Sequence, residues 1–534
     1  MRHPFRVFAS FGWIAIAAFP ALLLAQDMRT VVEPTVPEIC KTLKARYSDA
    51  NLDAADESCA KSAPACDTSR VQEAIDACSA TAGSHSGRVA LALQSDGANG
   101  AFVIQPIQLK VGVTLLVEAG VTVYASVNPR DYDTAPGRCG TIDERGGGCV
   151  PLIHIDNAHN VGIMGEGAID GRGGHVMLGS DQSWWQIARA AEPANLRQSC
   201  PRLIIANQAD GLTLYKITLR NSANFHVAVN HTDGFTVWGV KIDTPKTARN
   251  TDGIDPGTST NVTITHSFIR TGDDNVAIKG GVSHISVTHN FFYDGHGMSI
   301  GSGATPPVTN IYVSDLSLQD TANGIRIKSD VTRGGLVDTA VYENICMKNV
   351  ELPIGIDPFY NGTTIDPFTD PGHKGDRIPV DKGIVLRDVR SVSTQPVLMA
   401  GWDAAHSLDI ILDGVVFEGI QPRDVHMQYA NVRIGSGGVN FTPPGKGVTV
   451  DGQLHAKPRA ISCDGRFPAF PRPAMMDPRS RRIALAQEPV AFVRRCVLLR
   501  PRVACSCSWA VLASCRWLSM TFRASAAFLA RIAR

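Results

Sequence analysis

Through the middle of the chain, apolar and polar residues alternate in short runs that return at a near-constant interval. The runs are Leu212–Leu219, Phe235–Ile242, Val262–Ile269, His284–Phe291 and Ile311–Leu318. Alternation over about eight residues predicts a strand with one buried face and argues against a helix. Four runs start directly after Gly211, Gly234, Asn261 or Asn310, residue types that accept a positive φ. Successive starts lie 22 to 27 residues apart, about one turn of a stacked β-solenoid. A hairpin sheet would alternate too, but it would not return chemically distinctive residues at the same repeat. The pattern therefore predicts an all-β chain folded as a right-handed, single-stranded parallel β-helix.

The flanks predict the domain organisation. Asp67 as a cap, followed by Val71, Ile75 and Cys78 on one face, predicts a short amphipathic helix. Such a helix would cover the open apolar end of a solenoid. First strands are expected at Val89–Leu93, Val113–Val117 and Val121–Tyr124, and later rungs at Val341–Val350, Gly383–Val389 and Leu408–Phe417. The β-helix is thus assigned to residues 67–470, behind a polar, irregular leader over 26–66. Residues 1–25 have the layout of an export signal: Arg2, His3 and Arg6 precede the apolar run Phe8–Leu24, with a cleavage point at Ala25-Gln26. Leu23 fits the small-residue rule at that point poorly, and Gly12 and Pro20 argue against a membrane anchor. Residues 471–534 hold no Lys, few acids and no solenoid period, and read as a disordered or non-native Arg- and Cys-rich tail.

Composition narrows this picture only slightly. A net charge of +1 over 534 residues points to no polyanion such as nucleic acid, so any anion site must come from local cations. Export would permit disulfides, and Cys139 and Cys149 bracket a Gly-rich loop that a bridge could clip. Thirteen cysteines do not reveal their pairing.

The candidate chemistry lies between residues 250 and 328, which carry Asn250-Thr251-Asp252-Gly253, Gly272-Asp273-Asp274, Gly295-His296-Gly297 and Arg326-Ile327-Lys328. Asp252, Asp274 and His296 are 22 residues apart in turn, and Arg326 follows after 30. Residues one rung apart sit about 4.8 Å from each other on one face. Each motif alone is an ordinary turn or a solvated face; their joint order at the solenoid repeat makes an active site. Carboxylates a rung apart cannot all ionise cheaply, so one rises to become an acid beside an ionised base. Glycosidic cleavage needs that pairing. Arg326 and Lys328, two apart on a strand, face the same way and suit an anionic sugar.

At these four motifs the chain resembles glycoside hydrolase family 28, the polygalacturonases and related pectin hydrolases, and is closest in pattern to the bacterial members. The resemblance runs from about Asp67 to about residue 470. It implies metal-free, inverting hydrolysis of α-1,4 bonds in de-esterified pectin by a secreted monomer. No cofactor, nucleic acid or stable membrane partner is implied, and the mode of attack is expected to be endo. By motif, Asp273 would be the general acid, Asp252 and Asp274 would activate water, and His296 would hold the acid's protonation. Asn250 would lie in the substrate site, Arg326 and Lys328 would bind galacturonate carboxylates, and Tyr360 is the candidate for the family's later tyrosine. Inversion calls for carboxylates about 6.5–9.5 Å apart, so Asp273 should project differently from Asp252 and Asp274. The alternatives are exo attack, a rhamnogalacturonan or xylogalacturonan substrate, a Ca²⁺-dependent pectate lyase, and a non-catalytic carbohydrate-binding β-helix.

Overall fold

The computed structural model describes residues 26–471 except 63–65, 86, 361–374 and 455–456. The export signal expected over 1–25 and the tail beyond residue 471 lie outside the described residues. So does most of the segment 362–377, a candidate for blocking one end of a groove.

The described chain is a right-handed parallel β-helix. Each turn lays one strand on each of three columns. One column runs through Thr213–Tyr215, Asp233–Trp238, Thr260–Thr265 and Ser283–Thr288; a second runs through Thr218–Arg220, Lys241–Asp243, Phe268–Thr271 and Phe291–Asp294. The third stacks Ile254–Gly257, Val276–Ile278, Met298–Gly301, Asn323–Lys328 and Leu352–Asp357, all parallel and in register.

The eight-residue runs are therefore not single strands. Each breaks at a left-handed residue: Lys216 (φ 56°), Gly239 (φ 64°), His266 (φ 53°), His289 (φ 56°) and Asp315 (φ 51°) form one corner of the coil. The break shifts the phase of burial. Leu212 and Leu214 point inward before the corner, and Ile217 and Leu219 after it, all fully buried. The residues expected to start the runs do adopt positive φ: 74° at Gly211, 85° at Gly234, 54° at Asn261 and 59° at Asn310. After residue 335 the corner disappears as a break, and Gly335–Lys348 and Pro379–Ser391 run through both columns as long strands.

At the N-terminal end, helix Thr68–His85 buries Val71, Ala74, Ile75 and Cys78 against the first turns. The preceding segment differs from the irregular leader expected. Strand Glu38–Lys44 pairs in parallel with Val89–Gln94 as an additional rung, and a second helix spans Leu52–Lys61. Polar composition misleads there because this edge strand buries little surface of its own. Disulfides Cys40–Cys78 and Cys59–Cys66 tie this end together, Cys139–Cys149 closes the Gly-rich loop, and Cys346–Cys463 pins the C-terminal segment to the coil. Among the described residues no helix is long and apolar enough to cross a membrane.

Candidate active site

The third column carries the site on its outer face. Inward positions are Ile254 and Pro256, Val276 and Ile278, Met298 and Ile300, then Ile325 and Ile327. Outward positions therefore include Asp255, Ala277, Ser299 and Arg326 along one ladder. Lys279, Gly301, Lys328 and Asp357 follow two residues on. Asp252, Asp274 and His296 each sit two residues before a strand, at Ile254, Val276 and Met298, which pair in register. They stack at the bend that feeds the column. Tight turns make this bend possible: Asn250 takes φ 55° and Gly297 φ 73°, and a Cβ on Gly297 would lie 2.1 Å from the Asn323 carbonyl oxygen.

A groove of about 700 Å³ runs over the bend, from Arg189, Lys246 and Arg249 past Asp273 and His296 to Arg326, Lys328, Tyr360 and Leu398. Asp273 reaches into it, held from three sides. His296 Nδ1 lies 3.0 Å from Asp273 Oδ1, the Asp274 N–H donates to the same oxygen at 2.9 Å, and Asn250 Nδ2 donates to Oδ2 at 3.3 Å. Gln198 donates to Asn250 Oδ1 (2.9 Å) and fixes that amide's orientation. Asp274 turns the other way, beneath the groove, where both oxygens are occupied. Lys328 Nζ is 2.7 Å from Oδ2, while Ser299 Oγ (2.7 Å) and Arg326 Nη1 (3.5 Å) approach Oδ1. Tyr360 joins them, its ring centroid 5.1 Å from the Arg326 guanidinium and 5.6 Å from the Lys328 ammonium. Its backbone N–H is anchored to the Ser329 carbonyl (2.9 Å).

Asp252 is buried, and its Oδ1 has no hydrogen-bond partner. Lys279 Nζ lies 3.8 Å from Asp252 Oδ2 and 3.4 Å from Asp255 Oδ2. Buried His226 supports the same turn, its Nδ1 2.9 Å from the Asp252 carbonyl oxygen and its Nε2 2.8 Å from Thr244 Oγ1. Burial pushes the His226 imidazole down to about 4, so it is neutral.

The electrostatics separate the three aspartates. Burial opposes ionisation at Asp273, but the His296 hydrogen bond and charge, with Lys328, outweigh it and hold this carboxyl below its ordinary range. Burial opposes ionisation at Asp274 too, and Lys328 and Arg326 overcome it. At Asp252 burial and the charges of Asp255 and Asp273 act together and raise the carboxyl well above its ordinary value. One carboxyl is raised beside ionised ones, but in the free site it is Asp252 rather than Asp273. His296 rises despite burial because Asp273 accepts its hydrogen bond. The Asp273–His296 pair thus holds one shared proton over the groove.

Asp273, Asp274 and His296 offer ligand atoms within 4.8 Å of one another, a grouping able to hold a metal ion. Asp274 is already matched by Lys328 and Arg326, and an added ion would compete with both cations. All eight expected site residues meet at or beneath this groove. Sequence reasoning missed Asp255, Lys279, Ser299 and Gln198. For the first three the signal is the two-residue alternation of the third column, once its inward phase is fixed by Ile254, Val276 and Met298.

Residues 106–436 match the family described as Glycosyl hydrolases family 28. The chain is 40% identical to an endo-polygalacturonase of Pectobacterium carotovorum subsp. carotovorum over 405 residues, covering 75% of this chain and 92% of the relative. It is 36% identical to a polygalacturonase of Ralstonia solanacearum, covering 78% of this chain and 85% of that protein. The solved polygalacturonase from Erwinia carotovora ssp. carotovora superposes with a TM-score of 0.64 at 37% identity, over 75% of this chain and all of that structure.

Proposed function

This chain belongs to glycosyl hydrolase family 28 and is a glycoside hydrolase, and from that premise we propose that it is an exported endo-polygalacturonase acting with inversion. The observation that carries the reading is Asp273, part-buried but lining the groove, bonded to His296, with Arg326, Lys328 and Tyr360 lining the same groove. The cations take a galacturonate carboxylate, which sets the glycosidic oxygen beside Asp273. Asp273 delivers to that oxygen the proton it shares with His296, and the C–O bond breaks. Water attacks the anomeric carbon from the opposite face and gives its proton to Asp252 in its carboxylate form, so hydrolysis requires a pH at which this raised carboxyl has ionised. Asp274 has both oxygens engaged and acts by holding Arg326 and Lys328 in place. Five cations along the groove, Arg189, Lys246, Arg249, Arg326 and Lys328, support an acidic substrate, and continuation of the groove past Asp273 in both directions supports attack within the polymer. The relatives named endo-polygalacturonase support the same mode.

The test follows reducing ends, viscosity and absorbance near 235 nm together on de-esterified polygalacturonate with EDTA present. New reducing ends without absorbance, an early fall in viscosity and β-configured first products in NMR are expected. Asp273→Asn should lower kcat by about 10²–10⁴-fold, the usual worth of a general acid. Absorbance appearing only when Ca²⁺ is restored would identify elimination and overturn the reading.

A further inference from the structure

A third buried carboxylate and a part-buried lysine lie next to the proposed base, outside the roles assigned above. Asp255 and Lys279 stand on adjacent strands of the third column, at Ile254–Gly257 and Val276–Ile278 or just beyond. Lys279 Nζ is placed between the two acids, 3.4 Å from Asp255 Oδ2 and 3.8 Å from Asp252 Oδ2. Neither Asp255 oxygen has a well-formed hydrogen bond, although the residue is only 3% exposed. The lysine stem is also confined, its ammonium 5.7 Å from the centroid of Phe225. A buried acid left without a full complement of donors is costly to keep for packing alone.

We propose that Asp255 and Lys279 are a positioning pair that sets the charge of Asp252, and so the pH at which this residue can take the proton of the attacking water. The inference rests on the reading of Asp252 as the base. Lys279 favours the carboxylate form of Asp252, and Asp255 opposes it while holding Lys279 in place. The other charges that reach Asp252 are Asp273 and Asp274, and Arg202 acts on Asp255. His226 faces the Asp252 backbone as a neutral ring. Burial, with the charge of Asp274, pushes Asp255 up to about 6 against the pull of Lys279 and Arg202, while Asp255 and Asp252 keep Lys279 charged against burial. Neither residue lines the groove around Asp273, so the pair acts through Asp252 and not on the substrate directly.

The experiment is the pH dependence of kcat on de-esterified polygalacturonate for wild type, Asp255→Asn and Lys279→Met, with thermal melts of each. Removing the anion should let Asp252 ionise more easily and move the acidic limb to lower pH. Removing the cation should move it to higher pH. Shifts of about one pH unit in opposite directions are expected for charges at this range, with KM changed less than about twofold. Limbs that stay put, or that move the same way in both variants, would overturn the inference while wild-type hydrolysis leaves the functional reading standing. A rise in KM at unchanged kcat would overturn it as well, since the pair would then serve binding. If Lys279→Met does not fold, the Asp255→Asn limb decides alone. A wild type that hydrolyses nothing would remove the functional reading and this inference together.

Discussion

Asp252→Asn should abolish hydrolysis and yet leave the protein more stable at neutral pH. The native carboxyl is raised by burial and by Asp255 and Asp273, whereas the unfolded carboxyl titrates normally. A native state that binds more protons than the unfolded one loses stability as pH rises. The loss begins near pH 4 and continues up to the folded pKa, at about 1.4 kcal/mol per pH unit. An Asn has no such slope. Its amide leaves two donors to satisfy at a place where Asp252 Oδ1 has no partner, at a cost of about 1–3 kcal/mol. Lys279 keeps Asp255 at 3.4 Å. The balance therefore moves toward the Asn variant by up to about 1.4 kcal/mol per pH unit between pH 4 and the folded pKa, from none, or a loss, near pH 4. Equilibrium urea unfolding at pH 4.5, 6 and 7 measures it. The Asp273 and Asp274 contributions, which strengthen with pH, are present in both proteins. A difference that is constant with pH, or that shrinks toward neutrality, would refute the reasoning.

Other substitutions separate binding from support. Lys328→Met leaves buried Asp274 with Arg326 at 3.5 Å as its remaining cation, and should destabilise by about 3–5 kcal/mol while raising KM, read by melting and kinetics. Arg326→Gln, on the more exposed partner, should raise KM with a much smaller change in melting temperature. His296 is raised in the folded state, so the Asp273–His296 pair contributes stability in full below about pH 6.5 and loses it as pH rises through the folded value. In His296→Gln that alkaline loss should vanish from the melts, and the alkaline limb of kcat should change with it. Gly297→Ala must place a Cβ 2.1 Å from the Asn323 oxygen at φ 73° and should displace His296, cutting kcat with a lowered melting temperature.

The repeat was legible in the sequence because a solenoid writes its period into inward residues and turns. Gly211, Gly234, Asn261 and Asn310 announced the starts of rungs, and positive φ is what those side chains tolerate. The mid-run corner was legible only at Gly239 and Asp315. Lys216, His266 and His289 carry no turn signature, and their left-handed backbone is imposed by stacking on the rung beneath. The strand Glu38–Lys44 was likewise hidden, since its parallel partner lies some 50 residues away and its own pattern is polar.

The sequence by itself determined which side chains recur on one strip: Asp252, Asp274 and His296 at a spacing of 22, with Arg326 and Lys328 on a common strand face. Spacing modulo a rung is a one-dimensional property, and no contact is needed to read it. Only the tertiary structure decided what each group does with its charge. Asp273 and Asp274 are neighbours in sequence, yet one opens into the groove against His296 and the other is clamped below by Lys328. Asp252 is raised because Asp255 and burial surround it, while Lys279 arrives from the next turn. Protonation depends on solvent exclusion and on distances of a few ångströms between rungs, and those exist only once the coil has closed.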